Sequence, residues 1–183
     1  SVVQGSVSNV ISVKGNTDGN FTEFIKVYID WDQNGVFGNT TNEIYDLGTI
    51  TNSTGVDSKF ATVNISVPVT AILGNTKMRV MKTYTVANSN NPCFSGNDWG
   101  QAEDYLIRVM APPTITSFSP TSVCQGATFT IIGTNFTTTT NVAVNNIAVS
   151  SFIINSGTSI TATVALSGTS GLVSVTNVYG SAT

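Results

Sequence analysis

The run Asp30-Trp31-Asp32-Gln33-Asn34-Gly35-Val36-Phe37 places oxygen-bearing side chains at alternate positions and follows them with glycine. This spacing is the first half of an EF-hand-type calcium loop, in which side-chain oxygens converge on a hard cation. Asp30, Asp32 and Asn34 can face one hollow, Gly35 permits the sharp turn, and the Val36 carbonyl can supply a further oxygen. The glutamate that normally closes such a loop is replaced by Thr41. Calcium takes about six to eight oxygens, so another carboxylate must complete the shell. Glu43 is near in sequence, and Glu103 and Asp104 are the long-range candidates. The same residue types are turn formers, and a metal-free, Asx-rich turn is the competing explanation.

Other chemistry is sparsely provided. The chain has no His and two distant Cys, which argues against zinc and excludes Ser-His and Cys-His catalysis. A carboxylate pair can hydrolyse glycosides, but the clustered carboxylates here are accounted for by the loop, and no enzyme is expected. Trp31 falls on an apolar face and reads as core, whereas Trp99 beside Asp98 is a candidate sugar-stacking platform. Exposure of Trp99, Tyr84 or Phe94 would favour a binding role; burial of all three would favour a spacer. Cys93 and Cys124 leave a disulfide open, since sequence does not fix their separation.

The elements that must position these residues are strands. Ile25, Val27, Ile29 and Trp31 alternate with Lys26, Tyr28 and Asp30, a period of two rather than 3.6. Similar alternation recurs over 61–67, 77–80 and 104–109, and again over 129–131, 160–164 and 173–176. Val142 and Val144 lead into Asn145-Asn146, a two-residue hairpin turn, and Ile147 and Val149 return. No stretch reads as a helix. Short strands separated by turn residues predict an all-β chain of two tandem β-sandwich modules.

Charge separates the modules. Of 183 residues 9 % are charged, with a net charge of -3, and every Asp, Glu, Lys and Arg lies at or before Arg108. The boundary falls at Ala111-Pro112-Pro113, where prolines interrupt strand pairing, giving modules 1–111 and 112–183. No basic stretch suggests nucleic acid or an anionic membrane, and no apolar run suggests direct membrane insertion. The chain does not begin with Met and reads as a segment of something longer.

Three separated motifs, VYIDWDQNGVF, TKMRVMKTYT and CFSGNDWGQAEDYLIRV, resemble the GEVED domain of secreted Bacteroidota proteins over roughly residues 20–110. The signature stands as Gly100-Gln101-Ala102-Glu103-Asp104, followed by Tyr105, with the first Glu and the Val replaced. The second half, with Ser119-Pro120-Thr121, Gly126 and Ile132-Gly133-Thr134-Asn135-Phe136, is similar to an IPT/TIG immunoglobulin-like domain. The first module is expected to be incomplete at its N-terminus, and the second to lack its final strand.

These resemblances imply extracellular or cell-surface context, in adhesins or accessory regions of secreted enzymes, many exported by the type IX route. They leave function to be argued from the site. The expectation is a non-catalytic structural or adhesive segment, with calcium rigidifying the first module and neighbouring modules or subunits as partners. The alternative is an accessory module that binds polysaccharide or another surface.

Overall fold

The computed structural model describes residues 1–96 and 98–183; Asn97, inside the third motif, lies outside the described residues. The chain divides into two compact units, Ser1–Met110 and Ala111–Thr183.

The first unit contains β1 (Val2–Val3), β2 (Asn9–Val13), β3 (Thr22–Ile29), β4 (Ile44–Thr51), β5 (Ala61–Ile65), β6 (Gly74–Thr83) and β7 (Gly100–Met110). A short helix, α1 (Val86–Ser89), joins β6 to β7, an element the period-two reading does not anticipate. One sheet has the order β1-β7-β6-β3-β4, and β2 pairs with β5 in a second, two-stranded sheet. The layers enclose a core of Ile25, Val27, Ile29, Trp31, Leu47, Ile50, Ala61 and Ile65. Full burial of each large aliphatic side chain contributes about 1.5–3 kcal/mol, so β3 supplies a large share of the cohesion.

The other face of β3 is covered as well. Tyr28 is buried, and its hydroxyl donates to the Ser89 carbonyl of α1 at 2.6 Å. β7 behaves differently: Val109 is buried, while Tyr105 and Leu106 are exposed. The two-stranded layer is narrower than the sheet it covers, and alternation along β7 therefore becomes burial only near its C-terminal end.

The second unit is an immunoglobulin-like sandwich of β8 (Thr114–Ser119), β9 (Thr128–Thr134), β10 (Thr139–Val144), β11 (Ile147–Ala148), β12 (Ser151–Ser156), β13 (Ser159–Thr163), β14 (Val173–Asn177) and β15 (Gly180–Ala182). Its sheets are β11-β10-β14-β15 and β12-β13-β9-β8. Phe129, Ile131, Phe136, Val142, Ile160, Ala162 and Val175 fill the space between them. The expected hairpin is present: Val144 faces Ile147, and Asn145 and Asn146 have φ of 51° and 62°, as a type I′ turn requires. In place of charges, polar side chains pair across strands, as in Thr114–Thr134 at 2.8 Å and Thr176–Ser181 at 2.9 Å.

Gly133 marks the tightest approach in this unit. A Cβ there would lie 1.8 Å from the Thr114 carbonyl oxygen and 2.6 Å from Phe136 Cζ. Gly133→Ala is expected to lower the stability of the second unit by at least about 2 kcal/mol, through displaced backbone and overpacking. Urea titration read by circular dichroism tests this; an unchanged midpoint would contradict the packing described.

Candidate metal loop and aromatic groove

The acidic loop begins where β3 ends. The Asp30 amide donates to the Lys77 carbonyl at 3.1 Å, and the Trp31 carbonyl accepts from the Ile72 amide at 2.9 Å. Trp31, 2 % exposed, anchors the loop in the core, and its indole N–H reaches the Asn42 carbonyl at 3.1 Å. Left-handed backbone at Gln33, Gly35 and Gly38 folds the chain back over this anchor.

Asp30 accepts from the Asn34 and Gly35 amides, each at 3.0 Å. Asp32 accepts from the side-chain amides of Asn34 at 3.0 Å and Asn39 at 3.2 Å. Asn34 Oδ1 accepts from the Val36 amide at 2.7 Å, and Val36 itself is exposed. The Asn34–Val36 bond is an Asx turn, and local side-chain bonds of this kind by themselves stabilise a turn. The added feature is Glu43. A 3₁₀ turn, Thr41–Glu43, delivers it into the loop with 1 % exposure, where it accepts from the Trp31 amide at 3.0 Å and the Gly38 amide at 3.2 Å.

Asp30, Asp32 and Glu43 each present a carboxylate oxygen within 4.8 Å of the others. Among the described residues no ion pair reaches any of the three. Burial, and then the charges of Asp32 and Asp30, push the Glu43 carboxyl above its usual range, against the opposing pull of the Trp31 and Asp32 backbone N–H groups. A carboxyl with a raised folded pKa disfavours the fold as pH climbs above the ordinary Glu value of 4.5. The all-oxygen donor set, with Asn34 tied to Asp32, has the chemistry of a hard-cation site rather than a zinc or copper site.

Glu103 and Asp104, also candidates for the shell, are engaged elsewhere. Glu103 accepts from Gln101 Nε2 at 2.5 Å and from the Tyr105 hydroxyl. Asp104 stands opposite Arg79 in the β6–β7 register and takes a bidentate pair from Nε at 2.6 Å and Nη2 at 2.7 Å. The same guanidinium donates to the Pro92 carbonyl at 2.8 Å and lies 5.0 Å from the Phe37 ring centroid. Asp104 therefore meets the loop at one remove, through Arg79 and the aromatic ring at the loop's far end. Cys93 and Cys124 are exposed free thiols.

A second feature lies at the other end of β3. Asn16, Thr17, Asp18, Phe21, Glu23, Lys82, Tyr84, Trp99 and Gly100 line a groove of about 570 Å³, within the range of ligand sites. Trp99 is 80 % exposed and Tyr84 47 %, while Phe94 is half-buried and outside the groove. Phe21 and Tyr84 meet edge to face, with centroids 6.0 Å apart. The Tyr84 amide donates to the Trp99 carbonyl at 2.8 Å, which fixes the two aromatics side by side. Gly100 makes that possible, because a Cβ there would lie 2.2 Å from the Lys82 carbonyl oxygen.

Below the rings, Lys82 pairs with Glu23, which is 6 % exposed. Trp99 and Tyr84 were candidates from sequence; Phe21, Asp18, Glu23 and Lys82 were not. The available signal was Glu23, a charged residue on the strand phase that otherwise carries Ile25, Val27 and Ile29.

The chain is all-β, with tandem sandwich modules and, in the first, an oxygen-rich loop and an exposed aromatic groove. Residues 24–108 match the GEVED domain, in agreement with the span expected from the three motifs. The match lies within the first unit.

Solved structures similar to the chain include three glycan-related ones. SGBP-B from a complex xyloglucan utilization locus in Bacteroides uniformis is 17 % identical, covering 98 % of this chain and 44 % of that one, with a TM-score of 0.37. A crystal structure with a xylogluco-oligosaccharide is 18 % identical over 99 % of this chain and 37 % of that one, with a TM-score of 0.41. SGBP-B of a Bacteroides ovatus mixed-linkage glucan utilization locus, in complex with a mixed-linkage heptasaccharide, is 12 % identical over 100 % of this chain and 43 % of that one, with a TM-score of 0.32. The chain thus spans less than half the length of each. No curated protein matches it. Among the described residues no helix is long and apolar enough to cross a membrane.

The Arg79 pair holds the Asp104 carboxyl below its usual range, chiefly through the hydrogen bond. A depressed folded pKa gives stability that is present above the unfolded value of 3.8 and lost as pH falls through the folded one. The Asp104 side chain is 49 % exposed, so solvent screening limits the effect to about 1 kcal/mol or less. Asp104→Asn is expected to lower the first unit's melting temperature at neutral pH, and the gap from wild type should close in strong acid. A pH series of thermal melts checks both the sign and the window.

Proposed function

We propose that this chain is a non-catalytic, polysaccharide-binding accessory segment of a secreted or cell-surface protein. The first unit binds through the Trp99–Tyr84–Phe21 groove. The observation that carries this reading is the exposure of Trp99, 80 %, beside Tyr84 and over a groove with polar walls. An exposed indole in that setting gains from contact with the apolar faces of sugar rings, and its polar surroundings supply hydroxyl partners. A pure spacer has no need of such a surface, and this favours binding over the structural reading.

Calcium has a supporting role in the proposal. Asp30, Asp32 and Glu43, with Asn34 and the Val36 carbonyl, would hold the ion, which would offset carboxylate repulsion and stiffen the C-terminal end of β3. The second unit, read as an IPT/TIG-type domain, serves as an immunoglobulin-like spacer toward neighbouring modules or subunits. The close approach at Gly133 and the left-handed Asn135, with φ of 59°, support that reading.

Affinity electrophoresis through gels containing soluble polysaccharides tests the binding role. At least one polymer should retard the wild type, and Trp99→Ala should weaken that binding by about 2 kcal/mol, the scale of an aromatic hot spot. Retardation indifferent to Trp99→Ala would reject the groove. Calcium is tested by melting the full chain in chelator and in excess calcium. At about 100 times its dissociation constant the ion should add roughly 2.7 kcal/mol to the first unit. Asp30→Ala/Asp32→Ala should abolish the shift, and no shift in the wild type would reduce the loop to an Asx turn.

A further inference from the structure

We infer that the groove selects uncharged pyranose chains and rejects anionic ones; this rests on the binding role proposed above and concerns only the chemistry of the ligand. The argument begins with the cation. Among the described residues Lys82 is the sole basic side chain lining the groove. Its ammonium is already committed to Glu23 and to the Asn16 carbonyl at 3.0 Å. The two side chains of this ion pair are only 14 % and 7 % exposed. An incoming carboxylate or sulfate would have to displace Glu23 and leave it buried without a partner, a costly exchange.

Two further carboxylates add negative charge, Asp18 in the groove lining and Asp98 outside it but next to Trp99 in sequence. Asp18 is exposed on the rim, held there by a left-handed backbone with φ of 51° and by the hydrogen bond its backbone N–H donates to Asn16 Oδ1 at 2.8 Å. Thr17, buried beneath it, fixes the turn by bonding to the Gly19 carbonyl at 2.8 Å and accepting from the Ser53 amide at 2.8 Å. Asp98, immediately before Trp99, accepts from the Trp99 amide at 2.8 Å and from Asn88 Nδ2 at 2.8 Å. Among the described residues neither Asp18 nor Asp98 belongs to an ion pair.

The site therefore offers apolar ring faces, hydrogen-bond acceptors and excess negative charge. Sugar hydroxyls are donors and suit it; uronate and sulfate groups are not and do not. With stacking and neutral hydrogen bonds as the main contacts, binding should survive high salt, because only charge–charge interactions are strongly screened.

The experiment is affinity electrophoresis of the full chain, wild type and Trp99→Ala, followed by calorimetry on any polymer that retards it. Neutral gels contain hydroxyethylcellulose, galactomannan or soluble starch; acidic gels contain polygalacturonate or chondroitin sulfate. The expected result is Trp99-dependent binding to a neutral polymer, at least about tenfold tighter than to either acidic one, or 1.4 kcal/mol. Its affinity should change by less than about threefold when the salt is raised to about 1 M. Asp18→Asn should narrow the gap by improving binding to the acidic polymers. Trp99-dependent binding that is stronger to an acidic polymer, or lost in high salt, would overturn charge selection while leaving the binding role standing. Absence of Trp99-dependent binding to every polymer would overturn both. Circular dichroism melts of each variant separate loss of contact from loss of fold.

Discussion

Burial of β3 on both faces is the constraint from which the first unit's surface features follow. Its inner face supplies Ile25, Val27 and Ile29 to the core, and its outer face is closed by Tyr28 against α1. A strand packed this way has little freedom to shift or slip, because a one-residue register change would exchange its apolar and polar sets. Both candidate sites grow from its ends. Asp30 continues it at one end, and Phe21 and Glu23 open it at the other. Placing candidate site residues at the ends of a rigid strand gives them fixed origins even though they occupy turns.

Most of the architecture was legible in the sequence because its signals are local. The period-two runs through Ile25–Trp31, Phe129–Ile131 and Ile160–Val164 became buried faces. Asn145-Asn146 became the predicted hairpin turn, since two adjacent residues that tolerate positive φ are themselves the geometric requirement. What the sequence could not convey is which layer covers which strand. Tyr105 has the alternation of a core residue yet is exposed, and α1 is too short to leave a helical period.

The loop shows the same boundary between local and long-range information. Asp30, Asp32, Asn34 and Gly35 declare themselves by spacing alone. Glu43 was one of three acidic options, and only the turn at Thr41–Glu43 brings it beside the aspartates. A pairing of Arg79 with a carboxylate of the Glu103-Asp104 turn can be expected from the sequence, and strand register decides that Asp104 is the one taken. The groove was the least legible feature. It draws on the segment after β2 and on parts of β3, β6 and β7, and Phe21 gained meaning only once it met Tyr84.

The second unit's lack of formal charge reaches beyond packing. Its hydroxyls and amides keep their ionisation state from acidic to neutral conditions. The chain's whole net charge of -3 therefore belongs to the first unit. Such a surface raises no counterion cloud of its own and has little to exchange with changing salt or pH. Next to hydrated, hydroxyl-rich polymers it presents much the same chemistry as they do. The result is an electrically quiet half joined to a half that carries every formal charge.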